Sequence, residues 1–111
     1  MREIANIAHN SGALLTVDNC FCTPAFQIPL SMGADVVVHS ATKHLHDQGR
    51  VPGGALVGSE DLMAAARGFV RLCGPSMSPF NVWISSKGLA TLQLHMDAHN
   101  QRAQAFVERL E

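Results

Sequence analysis

The sequence predicts an α/β fold, a largely parallel sheet with helices on its faces. Three observations predict it. Stretches with helical spacing alternate with short apolar runs. Those runs are rich in β-branched residues and bounded by glycine, proline or aspartate. Residues 34–38 (Ala-Asp-Val-Val-Val) are nearly continuous in valine, as in strands covered on both faces.

Residues 1–11 fit a helix, with Ile4, Ile7 and Ala8 at helical spacing and Gly12 suited to its C-terminal end. No capping residue precedes it. Residues 13–17 read as a buried strand between Gly12 and Asp18. Asp18-Asn19 opens a loop punctuated by Thr23-Pro24 and Pro29, with a short helical piece around 26–32 that Gly33 stops. The second strand is 34–38. A polar loop spans 40–53, and a third short strand follows at 54–57. Ser59 caps the next helix, with Glu60 and Asp61 where the helix dipole favours acids. Its apolar face is Leu62, Ala66, Phe69, Val70 and Cys73, and Gly74-Pro75 ends it. Ser78-Pro79 starts another helix. A three-four spacing then runs from Leu89 through Leu92, Met96, His99 and Phe106 to Leu110. Gly88 marks a kink or a join within it, and Trp83 is expected to anchor it in the core. The pattern reaches Glu111 without a cap. Together with the uncapped start, this predicts an excerpt of a larger fold.

The 111 residues allow one domain or a piece of one. Eight basic against nine acidic residues argue against a nucleic-acid or membrane-surface binder. No apolar run approaches the roughly 20 residues of a membrane span, and the N-terminus lacks a signal-peptide core. A charged fraction of 15% is sparse for an independent domain, so apolar contacts beyond the chain are expected. Cys20, Cys22 and Cys73 form no disulfide framework and read as reduced thiols. A zinc site joining Cys20 and Cys22 to His44 and His46 is disfavoured, because one-residue spacing closes a tetrahedral chelate poorly. No metal is expected.

The sharpest feature is Ser40-Ala41-Thr42-Lys43 directly after the second strand. Hydroxyls and backbone N–H groups at a strand end can hold a phosphate. The lysine can pair with that phosphate, or act unprotonated as a nucleophile toward an aldehyde. Asp18 shares the rim, because neighbouring parallel strands end at similar heights, and ligands of such sheets sit there. An acid, a lysine and a phosphate site together are what a pyridoxal-phosphate pocket requires. Alone, Ser-x-Thr-Lys also suits a solvated loop lysine.

The stretch from Val17-Asp18-Asn19-Cys20-Phe21-Cys22-Thr23-Pro24 through His39-Ser40-Ala41-Thr42-Lys43 resembles the Cys/Met-metabolism pyridoxal-phosphate enzymes, the trans-sulfuration family. The spacing of 25 from Asp18 to Lys43 (43 − 18) fits the family pattern. Ser78-Pro79-Phe80 and Lys87-Gly88-Leu89-Ala90-Thr91-Leu92 are similar to its later helices. The resemblance covers essentially the whole chain. Within the family, residues 18–24 and Gln48-Gly49-Arg50 look most like the O-succinylhomoserine sulfhydrylases.

The resemblance implies a segment, residues 1–111, of the cofactor-binding large domain of the aspartate-aminotransferase-like fold (fold type I). It implies pyridoxal 5'-phosphate as cofactor, with Lys43 as its Schiff-base lysine and proton shuttle. Asp18 looks like the partner of the pyridine nitrogen, and Ser40 and Thr42 look like phosphate ligands. The implied reaction is γ-replacement on O-succinylhomoserine by sulfide, giving homocysteine. Alternatives are cystathionine γ-synthase, another trans-sulfuration lyase or sulfhydrylase, or an inactive truncated piece. A small amino-acid substrate, a cytoplasmic homotetramer and neither nucleic acid nor membrane as partner are implied. The fragment alone is expected to be inactive, since the family's remaining site residues lie upstream and downstream.

Departures bear on the substrate. His44 stands where relatives commonly have tyrosine, His46-Asp47 where they have Asp-Gly, and Lys87 where arginine is frequent. Asp47 can adopt a glycine's left-handed conformation. His39 is expected to satisfy a buried hydrogen bond. Arg50 is expected to brace the lysine loop. His95 and His99 are expected to pack or face solvent rather than ligate.

Overall fold

The computed structural model describes residues 1–46 and 48–110, so the left-handed expectation for Asp47 lies outside the described residues. The sheet has the order β1-β2-β3, with β1 at Thr16–Asp18, β2 at Val36–Ser40 and β3 at Gly54–Gly58. The helices are α1 (Arg2–Asn10), α2 (Thr23–Phe26), α3 (Glu60–Cys73), α4 (Pro79–Ala90) and α5 (Leu92–Val107). Short 3-10 turns occupy Pro29–Met32 and His44–His46.

β1 runs parallel to β2, with Asp18 opposite Val38. β3 runs antiparallel to β2, with Ser40 opposite Gly54. The expectation of a parallel sheet therefore holds for the first pair alone. A parallel return needs a crossover, usually a helix, and the described residues between β2 and β3 form turns and a short 3-10 piece. Burial differs from expectation in the first strand, where Leu14 and Thr16 are exposed and Leu15 and Val17 only half-buried, because nothing among the described residues covers it; in the valine run Val37 is buried and Val36 and Val38 are half-buried. β1 starts three residues and β2 two residues later than the apolar runs suggest, so Asp18, His39 and Ser40 sit inside them, whereas β3 starts where expected.

The helical piece after β1 is two pieces. Proline disfavours helical backbone in the residue before it. Ile28 accordingly has φ −118° and ψ 83° ahead of Pro29. Gly33 ends the second piece at φ +100°, where an L side chain is strained. A Cβ there would also stand 2.8 Å from that of Ala5 on α1. The predicted starts of the later helices are observed. The Ser59 hydroxyl accepts from the Leu62 N–H at 3.5 Å, and the Ser78 hydroxyl from the Asn81 N–H at 3.2 Å.

The long helical pattern divides at Thr91, not at Gly88. Gly88 serves packing instead. α4 lies against the His44–His46 turn, and a Cβ on Gly88 would meet the Leu45 carbonyl oxygen and stand 2.9 Å from the His46 Cα. Ala41, Leu45, Leu92 and Met96 form the buried cluster at this junction. Trp83 does not anchor in the core. It is 55% exposed, and its ring lies 6.0 Å from the Lys87 ammonium. Phe69 and Cys73 on the expected inner face of α3 are likewise exposed.

The molecule is a plate of 47 × 39 × 19 Å. Its radius of gyration is 16.2 Å; a compact domain of this length has about 13 Å. Large apolar side chains on every helix from α1 to α5 remain open to solvent, Ile7, Phe26, Leu72, Phe80 and Leu94 among them. The sparse charge thus has a structural counterpart in uncovered apolar surface.

Asp35, at the entry to β2, ties α1 to the sheet. Its carboxylate accepts from the Leu15 N–H at 2.7 Å and meets the His9 ring nitrogen at 2.9 Å. The Leu15 N–H, then His9, hold its carboxyl below the usual carboxylate range. A carboxyl that is more acidic when folded stabilises above its unfolded pKa of about 4. That stabilisation is lost as pH falls through the lower folded value. Thermal unfolding from pH 5 to pH 2 should therefore show a shallower loss of Tm in Asp35→Asn than in the parent. Identical slopes would remove Asp35 from the account.

Candidate active site

The parallel register of β1 and β2 puts their carboxyl ends on one edge. Asp18 closes β1, Ser40 closes β2, and Lys43 follows after one turn. The Lys43 N–H donates to the Ser40 carbonyl at 3.3 Å, which closes that turn. The Lys43 ammonium is near enough to Asp18 to favour its ionised form. Residues 25 apart in sequence thus lie at one edge of the sheet.

Each side chain has a local cause. The Asp18 carboxylate accepts the Cys20 N–H at 3.0 Å, an aspartate turning the chain on itself two residues on. Hydrogen bonds from the Cys20 thiol and then the Cys20 N–H hold the Asp18 carboxyl below its ordinary value, with smaller help from Lys43 and His39. Asp18 is exposed and ionised. Lys43 is also exposed, and its ammonium stands 4.6 Å from the centre of the Phe21 ring. Phe21 in turn meets the His44 ring edge-on at 6.3 Å.

Thr42 is already engaged. Its hydroxyl accepts the Gly53 N–H at 2.9 Å and lies 3.3 Å from the Gly53 carbonyl. The Thr42 N–H also donates to that carbonyl at 3.3 Å. These bonds pin the lysine turn to the start of β3. Ser40 donates its N–H to the Cys20 sulfur at 2.7 Å. Arg50 braces locally, with its guanidinium on the Gln48 side-chain oxygen at 2.8 Å.

Two histidines differ from their expected settings. His39 is buried, but its Nδ1 has no hydrogen-bond partner among the described residues, in contrast to the expected satisfied bond. Its stretch of sequence carries no signal for that. His46 is 1% exposed and bonded on both sides, through Nδ1 to the Val51 carbonyl at 2.8 Å and through Nε2 to the Ser85 hydroxyl. Sequence reasoning missed this pair, because 39 residues separate its members. Cys20 is buried and Cys22 exposed. No group of three metal-binding side chains gathers among the described residues. His99 stacks edge-on against His44 at 5.5 Å.

The donor set fits pyridoxal phosphate. It has an acid held ionised for a pyridinium nitrogen, a primary amine beside it that no described salt bridge engages, and hydroxyls at a strand end. An α/β sheet with these groups on its carboxyl edge suits a segment of a pyridoxal-phosphate enzyme. The chain belongs to the Cys/Met metabolism PLP-dependent enzyme family, whose pattern it matches over residues 1–111. It is 56% identical over 108 residues to an O-succinylhomoserine sulfhydrylase of Pseudomonas aeruginosa, covering 97% of this chain and 27% of that protein. It is 43% identical over 114 residues to an L-methionine gamma-lyase of Porphyromonas gingivalis, covering 100% and 29%. Among solved structures it superposes on apo CalE6, a methionine gamma lyase from Micromonospora echinospora. The TM-score is 0.81 and the identity 39%, over 84% of this chain and 26% of that one. The chain thus spans between a quarter and a third of the length of these relatives. No described helix is long and apolar enough to cross a membrane.

Proposed function

We propose that residues 1–111 are the lysine-bearing part of the cofactor-binding large domain of an enzyme that makes homocysteine from O-succinylhomoserine and sulfide. The 56% identity to the Pseudomonas aeruginosa sulfhydrylase carries the substrate choice. The shared edge of Asp18 and Lys43 supports the chemistry. The plate-like shape and open apolar faces support membership of a larger folded unit. A cytoplasmic homo-oligomer acting on a small amino-acid substrate completes the reading.

In this reading Lys43 Nζ holds the cofactor covalently and then serves as the proton carrier. Pyridoxal phosphate supplies an electron sink conjugated to the substrate α-carbon. Asp18, ionised, keeps a proton on the ring nitrogen by pairing with it. Lys43 Nζ would take the α-carbon proton, hand it on to the cofactor and so be free to take one from the β-carbon, and would return protons to both carbons once hydrosulfide has added. Succinate leaves the γ-carbon and hydrosulfide adds there. Thr42 keeps the Gly53 N–H and turns its own weakly used proton to a phosphate oxygen, and Ser40 offers a second hydroxyl.

The test uses the small number of amines. The chain has two lysines, Lys43 and Lys87, and an N-terminus. Pyridoxal phosphate is mixed with the chain, borohydride is added, and the adduct is mapped by peptide mass spectrometry. Label concentrated on Lys43 is the expected result, with no homocysteine formed by the 111 residues alone. Label shared evenly with Lys87 or the N-terminus would sink cofactor binding at this edge.

A further inference from the structure

Cys20 belongs to no element. It stands between β1 and α2, yet it is 5% exposed and makes the contacts that join the ends of β1 and β2. The ladder between these strands continues one step past Asp18, where the Asn19 N–H donates to the Val38 carbonyl at 2.9 Å. The chain then turns away, and the Asn19 carbonyl accepts from the Thr23 N–H instead. The next N–H of β2, that of Ser40, would lose its acceptor. The Cys20 sulfur takes it, at 2.7 Å. The Asp18 carboxylate accepts the Cys20 N–H at 3.0 Å, and the thiol beside it helps hold that carboxyl below its ordinary range.

We infer that Cys20 is a positioning residue of the site, its thiol setting the Asp18 carboxylate and the Ser40 backbone relative to one another across the two strand ends. A thiol can do this because it accepts through sulfur and donates through its S–H at once. Burial raises the energy of its thiolate, which keeps the proton on sulfur as the bridge requires. The two groups it joins are those that the proposed function gives to the cofactor's ring nitrogen and phosphate. The inference rests on that reading for its consequence in binding, and not for the bridge itself.

Three measurements on the full 111-residue chain separate the two. Asp18 is followed by carboxyl carbon NMR without cofactor, in the parent, Cys20→Ala and Cys20→Ser. Alanine removes the bridge and Asp18 titrates at higher pH, whereas serine keeps a donor and an acceptor and restores the parent titration. The Ser40 amide of the parent, whose fate needs no variant, exchanges slowly with solvent. With pyridoxal phosphate added, the dissociation constant rises about tenfold in Cys20→Ala and stays within about threefold in Cys20→Ser, as when a supporting hydrogen bond behind a ligand is lost. An unmoved Asp18 titration in Cys20→Ala overturns the inference, as does a Ser40 amide that exchanges like a free loop amide. A serine variant that behaves like alanine does the same. Failure of the parent to take the cofactor at Lys43 would instead overturn the proposed function, with the two cofactor-free measurements still deciding the bridge.

Discussion

Gly88→Ala is expected to destabilise the chain, by about 1–3 kcal/mol or more from overpacking against fixed backbone. Helix propensity argues the other way, since alanine is better than glycine by about 1 kcal/mol in a helix interior. The contact decides the sign. The new methyl would press on the Leu45 carbonyl oxygen and on the His46 Cα and carbonyl carbon, none of which is the free end of a side chain. His46 cannot retreat easily, because its ring is held by Val51 and Ser85. Relief would require α4 to lift from the turn that follows Lys43. Urea unfolding of the two proteins measures the difference. An alanine variant of equal or greater stability would show that the turn yields and that helix propensity governs.

On the proposed function, Lys43→Ala in an enzyme that contains this segment is expected to lower homocysteine formation by at least about a thousandfold, since the nucleophile and the proton carrier leave together. The fold should scarcely change. Lys43 is exposed, and its described side-chain contact is the Phe21 ring, a cation–π interaction worth about 0.5–1 kcal/mol at such sites. Thermal midpoints within a few degrees, beside a collapsed rate, are the expected pair of readings. Lys87→Ala is the control, because that ammonium lies against Trp83 on α4. Substantial turnover by Lys43→Ala would refute the assigned role.

Legibility followed the range of the interactions. Ser59 and Ser78 as caps, and Gly33 and Gly74 as stops, are read within one turn of the chain, and all four are observed. The Ser40-to-Lys43 turn and Asp18 were found because each follows a strand, and strand ends of a parallel pair share an edge. The 13–17 run reads as buried yet is exposed at Leu14 and Thr16, since side-chain type reports what a strand can bury and not what this chain brings to cover it. Trp83 erred for the same reason. Gly88 was seen as a possible kink, because helix chemistry is local, whereas its partner turn lies more than 40 residues earlier.

By itself the sequence determined the α/β alternation, the capped helix starts, the family and the residues eligible for the cofactor. All of these depend on neighbours along the chain or on motif spacing. Only the tertiary structure decided that β3 returns antiparallel, that Thr42 is clamped to Gly53 and that His46 is sealed by Ser85. Only there does Cys20, an inert thiol by composition, meet Asp18 through its N–H and Ser40 through its sulfur. Those outcomes turn on which donor meets which acceptor across space, and distance between atoms is not written in residue order.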